Sequence, residues 1–325
     1  MILASAPVRV TLLGGGSDYP EHYLEHGGRT LGFSIDRYSW VSVNPLQFPL
    51  VRVSYSETEL VESADEVRHP AVRACLRFLR VGGGVDVHYV GDEPARSGLG
   101  SSSSFTVALL HALHAHLRDG VSQLRLAEEA VRVERDFAGE RVGVQDQYTC
   151  ALGGLVHLEV APGGEVSAER VFLSDRRLRE LGEHLLLVDT GVRRRAHDVL
   201  AEQVDRTRAG RLTAELNALA GLAASGLALL RDESRPVAGL GPLLREAWEV
   251  KRGLSGAVST PAVDAAVAAA AGSGALGGKL LGAGGGGMML FLVPPERRAA
   301  VLAALPDFRR VPFGFDVFGS RVVWP

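Results

Sequence analysis

A glycine- and serine-rich stretch at 94–105, PARSGLGSSSSF, contains the residues of this chain that are best suited to bind an anion. Gly98 and Gly100 would let backbone N–H groups approach a ligand closely, and the four serines that follow add hydroxyl donors. Apolar residues then repeat at helical spacing over 107–117, which predicts a helix whose positive N-terminus faces the glycines. The pattern indicates a phosphate-binding turn. The alternative is a loop with a serine N-cap, which needs only one serine.

Two other glycine-rich stretches adjoin predicted strands. At 12–23, LLGGGSDYPEHY places three glycines and the short polar side chains of Ser17 and Asp18 after a strand; a strand-ending turn is the alternative. At 280–290, LLGAGGGGMML has five glycines among the six residues 282–287. Because so many glycines are costly in chain entropy, we expect this backbone to lie against a ligand; a flexible hinge is the alternative.

Two carboxylates are candidates for chemistry. Asp146 lies between two glutamines in VGVQDQY (142–148), where it could accept a proton from a hydroxyl group; an N-cap for the next helix is the alternative. Glu134 lies beside the apolar face of the preceding predicted helix, where a solvated helix residue is the ordinary interpretation. Neither residue decides a function by itself.

The composition narrows the class of protein. The hydrophobic fraction of 46%, the charged fraction of 22% and the net charge of −3 are those of an ordinary globular protein and argue against a nucleic-acid partner. The only two cysteines, Cys75 and Cys150, have no metal-binding spacing and fit a reducing cytoplasm. The N-terminus does not resemble a signal peptide, and we expect no membrane span because no run of about 20 apolar residues stands out.

The elements that must position these residues form an α+β pattern. Strands are predicted at 6–13, 30–44, 50–55, 84–92, 153–160 and 184–191, with a last strand at the end of the chain. Helices are predicted at 69–80, from about Ser103, over 126–137, 195–232, 242–254, 260–272 and 295–305. The first half is richer in strands and the second in helices, so we expect two domains, 1–183 and 184–325.

The three glycine-rich motifs together resemble those of the GHMP kinase superfamily. They occur in that superfamily's order, as APVRVTLLGGGSDYP, PARSGLGSSSSFTVALL and KLLGAGGGGMMLF. The resemblance spans nearly the whole chain and implies a two-domain fold. The N-terminal part would be a ribosomal-protein-S5-like α/β domain that binds ATP, and the C-terminal part a ferredoxin-like α+β domain.

The resemblance also implies roles for individual residues. Asp146 matches the acidic residue that acts as base or orients the attacking hydroxyl, and Arg9 matches its positively charged partner. Ser102 and Glu134 match the magnesium ligands, so that ATP and Mg²⁺ are the expected cofactors. The ATP phosphates would lie against Pro94, Arg96, Ser97, Gly98, Leu99, Gly100, Ser101, Ser102, Ser103 and Ser104. The sugar would lie against Gly15, Gly16, Ser17, Asp18, Gly284 and Gly285.

Within the superfamily the chain resembles the branch typified by D-glycero-D-manno-heptose 7-phosphate kinase, which implies transfer of the γ-phosphate of ATP to an anomeric hydroxyl. Another sugar such as fucose, or a sensor of sugar and nucleotide that has lost catalysis, are the alternatives. The resemblance leaves open whether the protein forms a homodimer. A sugar that already carries a phosphate needs basic side chains to bind that phosphate. The candidate anchors are Arg193, Arg194, Arg195, Lys251 and Arg252, each with solvated surface as its alternative.

Overall fold

The computed structural model describes residues 1–93, 97–193 and 196–324. The strands are β1 (Ile2–Leu13), β2 (Gly28–Pro45), β3 (Val51–Ser54), β4 (Thr58–Val61), β5 (Val85–Gly91), β6 (Leu155–Val160), β7 (Val166–Val171), β8 (Leu185–Asp189), β9 (Gly277–Leu280), β10 (Met288–Leu292), β11 (Arg309–Arg310) and β12 (Arg321–Trp324). The α-helices are α1 (Pro20–His26), α2 (Pro70–Phe78), α3 (Ser101–His116), α4 (Gln123–Arg132), α5 (Gln145–Leu152), α6 (Asp175–His184), α7 (Ala196–Arg208), α8 (Thr213–Arg231), α9 (Leu240–Arg252), α10 (Pro261–Gly272) and α11 (Arg298–Ala303).

The larger sheet has the strand order β12-β1-β2-β5-β3-β4, with β6 paired to β2 and β7 paired to β6. Its pairs are antiparallel except for β3 and β5, which run parallel. Helices cover both faces, because α2, α3, α4 and α5 contribute to one hydrophobic core and α8 and α9 to another. Strand β1 is therefore buried along nearly its whole length.

The register of β1 against β2 shifts between Pro7 and Val8, and at that point the side chains of β1 change faces. Ala4 and Ala6 belong to the core that contains α3, whereas Val8 and Val10 belong to the core that contains α8. Since side chains alternate along a strand, the side chains of Arg9 and Thr11 point toward α3 and α5. This irregularity decides which way the basic side chain of β1 points.

The smaller sheet is antiparallel and has the order β11-β8-β10-β9. In chain order its elements run strand, helices, two strands, helix, strand, which is the ferredoxin-like arrangement that the resemblance implied. The α+β fold class is thus confirmed. The third hydrophobic core lies between this sheet and helices α10 and α11, around Trp248 and Phe291.

The domain boundary at residue 184 stays a prediction, and all four strands of the smaller sheet follow that residue. Strand β12 lies in the C-terminal part of the chain but pairs with β1 of the first sheet, as in Leu3 opposite Trp324. The predicted long helix at 195–232 is wrong in one respect. It is two helices, α7 and α8, separated by a turn in which Gly210 has φ +67°.

Helix α8 is 19 residues long and apolar enough, by length and composition alone, to cross a membrane. It therefore corrects the statement that the sequence has no such run. Half of its apolar window is buried inside the protein, and Leu216, Leu219 and Leu230 pack in the core shared with β1 and β2. These contacts are those of a core helix.

Candidate active site

The three glycine-rich stretches meet at one cavity of about 430 Å³. Gly14, Gly15 and Gly16 contribute from the end of β1, Gly98 and Gly100 from the turn before α3, and Gly282, Gly284 and Gly286 from the loop between β9 and β10. The sequence separates these segments by more than 80 residues at each step. Their convergence makes this cavity the candidate active site.

Arg9 and Asp146 form a bidentate ion pair at the wall of the cavity. The guanidinium Nε and Nη2 each donate to one carboxylate oxygen at 2.7 Å, and Nη1 donates to the carbonyl of Gly98 at 2.5 Å. Burial opposes the charge on Arg9, but the carboxylate of Asp146 outweighs it and raises the pKa of Arg9. Both side chains are consequently held in one orientation.

The turn before α3 needs glycine at position 100 for two reasons. Gly100 has φ +69°, a left-handed conformation that favours glycine. A Cβ atom there would lie 3.1 Å from Cγ of Arg9 and 3.2 Å from a carboxylate oxygen of Asp146. The close approach brings the N-terminus of α3, with its unpaired N–H groups, directly beside the ion pair.

Asp18 closes the floor of the cavity. Its side chain is 1% exposed and accepts hydrogen bonds from the backbone N–H of Gly16 at 2.9 Å and of Gln145 at 3.3 Å. Burial, and then the nearby charge of Asp146, raises the pKa of Asp18. Asp18 therefore fixes the first glycine turn against the start of α5, while it also lines the cavity.

Glu134 lies in a π-helical turn, Val133–Phe137, that follows α4, and such turns are frequent at functional sites. Its Oε2 accepts from Ser103 Oγ at 3.0 Å and from Gln147 Nε2 at 2.6 Å. Its Oε1 is buried and has no hydrogen-bond partner among the described residues. Burial raises the pKa of Glu134 to about 7, which marks a carboxylate that lacks a counter-charge.

Two family models match the chain. The model described as GHMP kinases N terminal domain matches residues 66–154, and that described as GHMP kinases C terminal matches residues 227–310. Together they cover more than half of the 325 residues. The chain belongs to the GHMP kinase family.

Individual curated relatives match only part of this chain, at low sequence identity. A mevalonate kinase of Archaeoglobus fulgidus is 32% identical over 47% of this chain and 51% of its own length. A D-glycero-alpha-D-manno-heptose 7-phosphate kinase of Campylobacter jejuni is 27% identical over 61% of this chain and 62% of its own length. The chain thus spans about half to three-fifths of the length of these curated relatives.

Among solved structures, a D-glycero-D-manno-heptose 1-phosphate kinase from Bacteroides thetaiotaomicron superposes with a TM-score of 0.81. The match covers 100% of this chain and 99% of that one, at 23% sequence identity. Similarity at that level of identity establishes the shared two-domain GHMP kinase fold.

In the serine run of this GHMP kinase, three serines line the cavity and the fourth does not. Ser101, Ser102 and Ser103 line the cavity, and Ser102 is exposed there. Ser104 is fully buried; its hydroxyl donates to the Ala6 carbonyl at 2.8 Å, and its N–H donates to the Gly100 carbonyl. The prediction that Ser104 contacts ATP needs correction, since both of its donors are used inside the protein. The hydroxyl bonded to Glu134 is that of Ser103, not of Ser102.

The turn before the serines alternates between cavity and core. Gly98 and Gly100 line the cavity, whereas Ser97 and Leu99 are fully buried away from it. The predictions for Pro94 and Arg96 fall outside the described residues.

In the other two loops, three of the predicted sugar-binding glycines line the cavity, namely Gly15, Gly16 and Gly284. Ser17 does not, because its hydroxyl exchanges hydrogen bonds with the backbone of Arg29. Gly285 is buried and donates its N–H to the Val258 carbonyl.

Of the predicted phosphate anchors among the described residues, one lines the cavity and two do not. Arg193 forms a bidentate pair with Asp189 at 2.7 Å and does not line the cavity. Arg252 faces acidic neighbours at 3.6 and 3.8 Å outside it. Arg194 and Arg195 fall outside the described residues. Lys251 lines the cavity.

Sequence reasoning missed several lining residues, among them Thr11, Gln145, Gln147 and Lys279. Thr11 donates to the side-chain oxygen of Gln145 at 2.9 Å, which links β1 to α5. One signal was available in the sequence. The chain has only two lysines among its 35 basic residues, and Lys279 is one of them.

Proposed function

We propose that this protein is a sugar kinase that transfers the γ-phosphate of ATP to the anomeric hydroxyl of D-glycero-D-manno-heptose 7-phosphate. The observation that carries the proposal is the Arg9–Asp146 pair beside Gly100 at the N-terminus of α3. A carboxylate there can orient a hydroxyl group while the helix N-terminus receives phosphate oxygens. Few other arrangements serve both reactants of a phosphoryl transfer so directly.

Asp146 is the group that would meet the sugar. Its side chain is 26% exposed, whereas that of Arg9 is 5% exposed, so the cavity reaches the carboxylate more readily than the guanidinium. Each carboxylate oxygen has two lone pairs, and the bond to Arg9 leaves one for the sugar hydroxyl. As the new O–P bond forms and the bond from the γ-phosphorus to the ADP oxygen breaks, the hydroxyl proton passes to Asp146.

The phosphates would lie against the turn and the start of α3. Gly98 and Gly100 line the cavity, and helix geometry leaves the first N–H groups of α3 without intrahelical partners. Arg9 uses three of its five N–H donors in the contacts described above, so two remain for a phosphoryl oxygen. These donors are fixed before the substrate binds, which is how such sites stabilise developing negative charge.

Magnesium fits the residues that are present. The unpartnered Oε1 of Glu134 and the exposed hydroxyl of Ser102 would hold it, with phosphate oxygens and water as the remaining ligands. Among the described residues no group of three His, Cys, Asp or Glu side chains forms a metal cage, which suits an ion that arrives with ATP. When bound, Mg²⁺ would neutralise charge on the β- and γ-phosphates.

The choice of a phosphorylated sugar has two supports. The first is the similarity to the Campylobacter jejuni relative, which is named a heptose 7-phosphate kinase. The second is that both lysines of the chain, Lys251 and Lys279, line the cavity, where each could bind a phosphate group. The use of ATP accords with the cytoplasmic location that we expect for the protein.

The test is a panel of acceptors assayed for ADP release with ATP and Mg²⁺. The panel contains the heptose 7-phosphate, the unphosphorylated heptose, galactose, fucose and mevalonate. We expect the highest kcat/KM with the heptose 7-phosphate and a new anomeric phosphate signal in the ³¹P NMR spectrum of the product. Turnover of none of these acceptors contradicts a sugar kinase, and a phosphate on another carbon contradicts anomeric transfer.

A sensor without catalysis would bind sugar and nucleotide in the same cavity but would release no ADP. The groups that catalysis needs are all present, including the ion pair of Arg9 and Asp146 and the open carboxylate oxygen of Glu134. The geometry therefore favours the enzyme.

A further inference from the structure

Both lysines of the chain line the active-site cavity. Of the described residues, four basic side chains line it: Arg9, Arg141, Lys251 and Lys279. The other 31 basic residues of the sequence are all arginine. A chain that uses arginine almost everywhere else thus has lysine at two positions, and both face the same space.

Lys279 is the more deeply buried of the two lysines. Its side chain points from β9 into the cavity and is only 3% exposed. Its Nζ forms no ion pair and no hydrogen bond with the residues that the structure describes. Burial, followed by the positive charges of Lys251 and Arg9, lowers the pKa of Lys279 well below its ordinary value. Burial thus disfavours the protonated form of Lys279 in the free protein, and a ligand that brings negative charge would favour it.

Lys251 has a different environment on the neighbouring helix. Its Nζ donates to the carbonyl of Leu280 at 2.9 Å and to that of Gly282 at 2.6 Å. These bonds fix the entrance of the third glycine loop and leave one of the three ammonium donors for the cavity. Burial lowers the pKa of Lys251 to about 7. Lys251 therefore positions the loop that follows Lys279.

The chemistry of lysine explains why arginine does not replace it here. An ammonium group is compact and can donate in three directions to one oxygen cluster, whereas a guanidinium is a broad planar fork.

We propose that Lys279 binds a phosphate group that a ligand brings into this cavity. Two ligands carry such a group: ATP, through its terminal phosphate, and the sugar, through the phosphate that it already bears. The naming of these two ligands rests on the proposed function, but the binding of a phosphate group by Lys279 does not. A phosphate dianion beside Lys279, Lys251 and Arg9 supplies the negative charge that the described residues do not provide around Lys279.

The experiment compares Lys279→Met with wild type and with Arg211→Met, which removes one charge from an exposed position outside the cavity. Dissociation constants are measured by titration calorimetry for ADP, the ATP analogue AMP-PNP, the heptose 7-phosphate and the unphosphorylated heptose. We expect Lys279→Met to raise the dissociation constant of AMP-PNP or of the heptose 7-phosphate at least tenfold. The dissociation constant of the matching ligand without that phosphate, ADP or the unphosphorylated heptose, should change less than threefold. A selective loss of affinity for AMP-PNP assigns Lys279 to the terminal phosphate of ATP, and a selective loss for the heptose 7-phosphate assigns it to the sugar phosphate.

A melting curve separates ligand binding from a structural role. Methionine fills a similar volume without a charge, so Lys279→Met should melt at a higher temperature than wild type in the absence of ligands. A variant that melts lower, fails to fold, or binds all four ligands with wild-type affinity overturns the proposal.

The experiments distinguish a failure of the sugar kinase proposal from a failure of the proposal that Lys279 binds phosphate. If no sugar is phosphorylated but Lys279→Met loses affinity for AMP-PNP relative to ADP, the sugar kinase proposal fails and the role of Lys279 stands. If wild type phosphorylates the heptose 7-phosphate and Lys279→Met binds every ligand normally, only the role of Lys279 is refuted.

Discussion

The charged groups around the cavity form two sets that differ in whether the protein itself supplies their partners. Arg9, Asp146 and Asp18 lie on the wall built by β1 and α5, and each is held by hydrogen bonds within the protein. Glu134 and Lys279 are equally buried, but Oε1 of Glu134 has no hydrogen-bond partner among the described residues, and Nζ of Lys279 forms no ion pair with them. The partnered set can orient a substrate with little rearrangement, whereas burial disfavours the charged forms of the second set unless a ligand supplies the opposite charge.

This difference predicts opposite effects on stability. Removal of a partnered charge should destabilise the protein, because its partner is left buried and alone. Removal of an unpartnered charge should stabilise the protein without ligands and weaken ligand binding.

Asp146→Asn tests the partnered set and should have the largest effect. We expect kcat to fall by on the order of 10³-fold because the base that orients the sugar hydroxyl is lost. The dissociation constant of ATP should change less than threefold, and the melting temperature should fall because Arg9 loses its carboxylate. Steady-state kinetics, calorimetry and a melting curve measure these quantities. Full activity in this variant would show that the assignment of Asp146 is incorrect.

Glu134→Gln tests the unpartnered set. We expect activity to fall by about 10- to 100-fold and to need more Mg²⁺. The pKa of Glu134 is raised from 4.5 to about 7, so the folded protein keeps a proton that the unfolded chain releases in this window. Its contribution to the wild-type free energy of unfolding is therefore present at low pH and is lost as pH rises from about 4.5 to 7.

Urea denaturation of the metal-free protein between pH 4.5 and 8 checks this sign. Glu134→Gln should depend less on pH than wild type and should be more stable than wild type at pH 8. Glu128→Gln, an exposed change on the preceding helix, is the matched control and should follow the wild-type curve. Equal pH dependence in all three proteins would mean that the pKa of Glu134 in the folded protein is that of an ordinary carboxyl group.

Gly100→Ala disturbs the contact between the turn and the ion pair. An alanine must adopt φ +69° and place its Cβ against Arg9 and Asp146, which costs about 1–2 kcal/mol. We expect a lower melting temperature and a lower kcat together. Gly120→Ala is the control, because a Cβ at Gly120 meets no atom within 4 Å. A wild-type kcat in Gly100→Ala would show that this close approach has no role in catalysis.

Ser102→Ala and Ser104→Ala divide the serine run, with the smallest expected effects. Ser104→Ala should lower the free energy of unfolding by about 1 kcal/mol, since the Ala6 carbonyl loses its donor, and should leave the Mg²⁺ dependence unchanged. Ser102→Ala should leave the stability unchanged and raise the Mg²⁺ concentration that gives half-maximal activity. The reverse pattern would reassign the two serines.

The sequence allowed prediction of features that depend on local pattern. The strand before Gly14, the helix after the serines and the order of the three glycine motifs all follow from residue types at short spacing. These features were enough to predict the fold class and the three segments that form the cavity.

Features that depend on distant contacts could not be predicted in this way. The change of face at Pro7 and Val8 arises from the pairing of β1 with β2, and no local motif marks it. The roles of Ser17 and Ser104 depend on which backbone carbonyl lies opposite, at Arg29 and Ala6. The rarity of lysine marks Lys279 in the sequence, but only the fold shows that its side chain lines the cavity.

The pairing of β12 with β1 has a consequence for the order in which the active site is assembled. The strand that bears Arg9 completes its hydrogen bonds on this side only with residues such as Trp324, more than 300 positions along the chain. Contacts between such distant residues form late, because closing a long loop costs entropy before any contact compensates for it. During synthesis, the complete first sheet must therefore wait for the second sheet's residues to leave the ribosome, and a nascent chain without β12 would lack one support of the strand that bears Arg9.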